Sequence, residues 1–165
     1  MCAENRAIQL LNKHGVESAP VNVVKLAKEL GYSVHKAVFK NKNISGGVKF
    51  LNGENEKGAI YININDSVSR QRFTLAHELG HCEMHRERYR EKGLLEGIDM
   101  FRNPENHSPT EVEANAFAAE LLMPRELVRQ QWAIWGSAEI LADIFKVSLS
   151  AMSYRLYNLG LTKDW

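Results

Sequence analysis

Four side chains in the stretch Arg72–His85, RFTLAHELGHCEMH, are of the wrong kind for an apolar helix and of the right kind for chemistry: His77, Glu78, His81 and His85. On a helix, His77 and His81 project from the same side, one turn above the other. That spacing suits two neutral imidazoles gripping one zinc ion. Glu78, one residue past His77, can reach a zinc-activated water rather than the ion. It would then act as general base, taking a proton from the water and later delivering it to the leaving amine of a cut peptide. Gly80 costs a helix interior about 1 kcal/mol relative to alanine, so its presence implies close approach of another backbone or of substrate.

Four such letters also occur by chance on solvated helix faces. The flanks argue against that here, because Phe73, Leu75, Ala76 and Leu79 leave little polar surface besides the motif itself. Buried imidazoles and a carboxylate without partners are costly, and a metal removes the cost. A catalytic zinc takes three protein ligands and keeps one open position, so a third ligand is required from another element. The stretch SPTEVEANAFAAELLMP offers Glu111 and Glu113 on a helix rich in small alanines that permit close packing. Glu111 shares a stripe with Asn115, which is placed to brace a metal-bound imidazole or carboxylate from behind, while Glu113 points roughly 160° away around the helix. Capping explains either carboxylate: Ser108 with Glu111, and Thr110 with Glu113, both read as capping boxes. Spacing leans to Glu111 without deciding.

His85 continues the four-residue ladder, but it lies about 12 Å along the axis from His77, too far to share one ion with it in a straight helix. A bracing or pocket-rim place is expected for it. Cys82 falls about 100° around the helix from His81 and reads as a buried structural thiol. His107 reads as an exposed loop histidine, and Arg72 and Tyr89 are equal candidates for stabilising a developing oxyanion.

The elements that must position these groups are legible in outline. Asp66 and Ser67 are good N-caps for the motif helix, whose buried side is expected to be Val68, Phe73, Leu75, Ala76 and Leu79. Upstream, Ala3–Lys13 has helical periodicity closed by Gly15, and PVNVVKLAKELG reads as a second helix closed by Gly31. The period then changes: YSVHKAVF, GGVKFL and AIYININ read as three short strands, the last two a hairpin, with Ile60, Ile62 and Ile64 on one face. A weakly patterned loop, REKGLLEGIDMFRNPENHSP, precedes a helix from about Pro109 to Leu122, a break at Pro124 and two or three further helices. The expected fold class is therefore α+β. Its core is expected at 1–124, with a helical region at 125–165 packed onto it as one unit.

The 21 basic residues nearly cancel the 20 acidic ones, so no global field recruits nucleic acid or an anionic membrane. No apolar run approaches the roughly 20 residues of a membrane span, and the opening MCAENRAIQL lacks the pattern of a signal peptide. Cys2 and Cys82 make a poor disulfide framework. A reducing cytoplasm fits this chain.

RFTLAHELGH followed by EVEANAFAAELLMP resembles the ImmA/IrrE family of zinc metallopeptidases, and the similarity runs from the Pro20 helix to the GLT near the C-terminus. The resemblance implies His77 and His81 as ligands, Glu78 as general base and Glu111 as third ligand, since the family's acidic position lies four before the Asn, here Asn115. It also implies a zincin-like fold with N-terminal helices, a small three-stranded antiparallel sheet beside the active-site helix pair, and helical C-terminal elements. The implied activity is zinc-dependent cleavage of a specific protein, a helix-turn-helix repressor or antitoxin encoded nearby.

The tail AEILADIFKVSLSAMSYRLYNLG itself resembles a helix-turn-helix, with Ala142 in its first helix, a turn at Lys146, Val147 and Ser148, and a second helix from Leu149 through Asn158. Beyond Pro124, however, Arg125, Arg129, Lys146, Arg155 and Lys163 barely exceed Glu126, Glu139, Asp143 and Asp164, and Lys146 replaces the glycine usual at such a turn. Phosphate binding wants a clear basic excess. Packing or substrate docking is the expected role, and Trp132, Trp135, Met152 and Tyr154 read as core or dock. A zinc-stabilised regulator that binds protein or DNA without cutting is the alternative to a peptidase.

Overall fold

The computed structural model describes residues 2–51, 57–91 and 108–163. Two short helices, α1 (Ala3–Lys13) and α2 (Val23–Glu29), lead into the strands β1 (Tyr32–Ala37), β2 (Gly46–Phe50) and β3 (Gly58–Asn63). The motif helix α3 (Val68–Glu91) follows, then α4 (Pro109–Leu122), α5 (Arg125–Trp135), α6 (Ala138–Phe145) and α7 (Leu149–Asn158). The α+β class and the order of elements are those expected.

Punctuation explains most boundaries. Asn22 accepts from Lys25 N–H to open α2, and Ser67 accepts from Arg70 N–H to open α3. Gly15 and Gly31 take positive φ just past α1 and α2, a backbone state that glycine enters without steric cost. Ser137 and Ser148 cap α6 and α7, and Lys146 adopts the left-handed conformation between them, so the tight turn forms without glycine.

The sheet departs from expectation in one respect. β2 and β3 pair antiparallel as a hairpin, but β1 joins the other edge of β3 in parallel, giving the order β1-β3-β2 and a mixed sheet rather than an antiparallel one. The physical reason is burial: β3 is the most apolar strand, buried at five of its six positions, and takes the centre. The hairpin occupies one of its edges, so β1 must add at the other. Ile60 and Ile62 are core, whereas Ile64 lies beyond the strand and is exposed.

α4 packs against α3, and this pair forms the centre of the molecule. Leu75, Ala76 and Leu79 of α3 face Phe117, Ala118, Leu121 and Leu122 of α4 within one buried cluster, which continues without a break into Val128, Leu141, Phe145, Met152 and Leu156. Val68, placed on the buried side by periodicity, is exposed at the first position of α3. Glu120 ties the C-terminal helices down: its carboxylate accepts from Arg125 and Arg155, and Arg155 Nε donates to the Met123 carbonyl at 3.0 Å. Among the described residues no helix is long and apolar enough to cross a membrane.

Candidate metal centre

The histidine ladder of α3 is buried against the first two turns of α4, and its members fall into two groups. His77 Nε2 and His81 Nε2 face each other at 3.0 Å. Glu111 closes the triangle, its Oε2 3.1 Å from His77 Nε2 and its Oε1 3.0 Å from His81 Nε2. Burial alone would raise the Glu111 carboxyl, but the imidazoles of His77 and His81 beside it outweigh burial and hold the group below its ordinary carboxylate value. Glu78 is also buried, 2 % exposed, on the same turn of α3.

The backs of the two imidazoles are held differently. Asn115 Oδ1 accepts from His77 Nδ1–H at 2.9 Å, the bracing place that its stripe position predicts. Behind His81, Nδ1 lies 3.0 Å from His85 Nδ1, and His85 Nε2 lies 2.9 Å from Glu113 Oε2. The two carboxylates near the start of α4 are thus divided, Glu111 to the converging nitrogens and Glu113 to His85. Ser108 is the N-cap residue without a side-chain cap bond, and its Oγ lies 2.9 Å from Thr110 Oγ1.

His77, His81 and Glu111 each offer a ligand atom within 4.8 Å of the others, and the donor chemistry fits a single cation. A tetrahedral ion with bonds of about 2.0–2.1 Å separates its ligand atoms by roughly 3.3 Å, close to the spacing these atoms already have. Two imidazole nitrogens whose rear nitrogens are committed to Asn115 and His85 direct lone pairs forward, beside a carboxylate. These residues could hold a metal.

The remaining candidates separate clearly. Arg72 donates to the carbonyls of Lys146 and Val21, at 3.1 and 3.0 Å, and so acts as a strap between the α6–α7 turn and the segment before α2. Cys82 is buried, and burial pushes its thiol well up. The Tyr89 side chain, His107 and the loop around it lie outside the described residues. The close approach at Gly80 is made by the Phe117 side chain of α4. The His85–Glu113 pair and the Glu120 hub are the contacts that sequence reasoning missed. The ladder spacing His77, His81, His85 was the available signal for the first.

Comparison with solved structures finds the same fold in a Mycobacterium tuberculosis transcriptional regulator, with a TM-score of 0.63 and 15 % identity over 93 % of this chain and 46 % of that one. The chain thus spans less than half the length of that protein. Comparison with curated proteins gives no match. The peptidase family described as the IrrE N-terminal-like domain matches residues 23–157, which takes in the sheet, the histidine ladder, Glu111 and Glu113 of α4 and nearly all of the helix-turn-helix-like tail. The chain belongs to the IrrE N-terminal-like peptidase family.

Proposed function

We propose that this protein is a zinc-dependent endopeptidase that cuts one specific regulatory protein, a helix-turn-helix repressor or antitoxin, in the cytoplasm. The observation that carries the reading is the convergence of His77 Nε2, His81 Nε2 and the Glu111 carboxylate at 3.0–3.1 Å on the buried face of α3. Two nitrogens and a carboxylate form the ligand set of a catalytic rather than a structural zinc, because one position of the tetrahedron is left for water or substrate. Zinc bound there supplies a Lewis acid that polarises a peptide carbonyl and acidifies water toward neutrality. His77 and His81 keep their forward nitrogens unprotonated by donating rearward. Glu78 takes the proton of the attacking water and passes it to the departing amine. The buried setting of Glu78 keeps bulk solvent from competing for that proton.

The neighbour's description as a transcriptional regulator invites a DNA-binding reading of α6 and α7. The tail's own charges argue against it. Arg155 is buried against Glu120, Arg125 pairs with the same carboxylate, Lys146 pairs with Asp143, and Arg129 donates to the Leu159 carbonyl. Four of the five basic side chains counted from sequence are engaged internally, which leaves little for phosphates. Half-exposed Trp135, Tyr154 and Tyr157 suit a protein surface better.

The test is incubation of zinc-loaded protein with the helix-turn-helix protein encoded beside it, read by intact mass. Wild type is expected to release two fragments, and Glu78→Gln to retain zinc but release none. Undiminished cleavage by Glu78→Gln overturns the mechanism.

A further inference from the structure

We propose that Glu113 and His85 are positioning residues for the metal site, a two-step relay of hydrogen bonds that fixes the tautomer and ring orientation of His81. The inference rests on the zinc-site reading above and extends it to residues that touch neither the ion nor the substrate.

The proton positions follow from the acceptor-only end of the chain. An ionised Glu113 carboxylate can only accept, so the 2.9 Å contact puts a proton on His85 Nε2. In the relay His85 is neutral and carries a lone pair on Nδ1. The 3.0 Å contact between the two Nδ1 atoms needs one donor, and the relay assigns that role to His81. His81 therefore holds its proton on Nδ1 and presents a bare Nε2 to His77 and Glu111. Remove the carboxylate and this order is lost: His85 can turn its proton toward His81, and His81 then carries its proton on the side that should ligate.

The two ligand imidazoles are thus supported unequally. His77 is held directly by a neutral amide oxygen, Asn115 Oδ1, and His81 through an intervening ring by a charge. The alternative is that Glu113 merely caps α4 or makes a surface ion pair. Its place beyond the first turn of α4 leaves only the latter. Yet its Oε2 is spent on a 96 % enclosed ring, His85 being only 4 % exposed, whereas the carboxylate's own side chain is 56 % exposed. Proteins orient metal-bound histidines through a hydrogen-bond partner on the rear ring nitrogen, and here His85, itself held by Glu113, occupies that place behind His81. Loss of such a partner typically lowers metal affinity about 10- to 100-fold.

The experiment measures zinc affinity by chelator competition on the full chain for wild type, Glu113→Ala, Glu113→Gln and His85→Phe, together with the visible spectrum of each cobalt-loaded protein. Glu113→Ala is expected to weaken zinc about 10-fold or more and to alter the cobalt bands. Glu113→Gln, whose amide oxygen still accepts from His85 Nε2–H, recovers most of the loss. His85→Phe, which keeps a ring but no nitrogen, weakens zinc at least as much as Glu113→Ala. Because Glu113 is half exposed, its two variants fold even where the His85 variant does not. Zinc affinity and cobalt spectra unchanged in Glu113→Ala overturn the relay while leaving the metal site standing. A wild-type protein that takes up no zinc overturns the site and the relay with it.

Discussion

Gly80 of α3 and Phe117 of α4 are in such close contact that a methyl group on Gly80 would stand 3.0 Å from Phe117 Cδ1, 3.2 Å from Cγ and 3.3 Å from Cβ. Cβ is fixed to the α4 backbone and the ring is fully buried, so relief takes a shift of a few tenths of an ångström in the Phe117 ring or in α4 itself. α4 carries Glu111. Gly80→Ala should therefore damage both packing and site: overpacking of about 1–3 kcal/mol outweighs the roughly 1 kcal/mol gained in helix propensity. The expected result is a lower melting temperature with reduced zinc uptake. A variant as stable as wild type with full zinc would mean that the helices part without disturbing the site.

Metal should report directly on Glu111. A ligand that binds only the folded chain stabilises it by about 2.7 kcal/mol at 100-fold excess over its dissociation constant. Wild type should melt markedly higher with zinc than after chelation. Glu111→Ala should lose most of that difference and more zinc than Glu113→Ala, measured by metal analysis after gel filtration. The reverse order between the two carboxylates would reassign the third ligand.

How far the sequence reaches is clearest where local chemistry sets the structure. α1, α4 and the α6–α7 turn fall where periodicity and caps put them, because Gly15, Pro109 and Ser148 act on their immediate neighbours. The grouping of His77, His81 and Glu111 was also within reach, since i, i+4 spacing on one helix needs only one carboxylate from another. Strand direction was not: alternation in Tyr32–Ala37 marks a strand but carries no sign, and the parallel pairing with β3 depends on which edge the hairpin leaves open. Glu113 was hidden for a related reason. An acid near a helix start has a local explanation as a cap, and its bond to His85 exists only once α4 lies against α3. Arg155 illustrates the limit from the other side. Arginine is mostly exposed, so it was counted as a surface charge, and only the fold reveals the buried carboxylate that it serves.

That carboxylate gives a stability prediction independent of the metal. Glu120 is 1 % exposed; burial works to raise its carboxyl, but the hydrogen bonds and charge of Arg125 and Arg155 prevail and lower it below its ordinary value. Unfolded, the group titrates near the model-peptide value of about 4.3. A folded carboxyl below that contributes stability that is fully present above about pH 5 and drains away as pH falls through the folded value. Glu120→Gln removes the charge and leaves Arg155 buried without its counter-ion, a change that typically costs about 3–5 kcal/mol. In urea unfolding the deficit of Glu120→Gln against wild type should be largest at neutral pH and should narrow below about pH 4, because protonation strips wild type of the same charge. A deficit that stays constant from neutral pH to pH 3 would assign the cost to shape alone and remove the ion pair from the account of how the C-terminal helices are held.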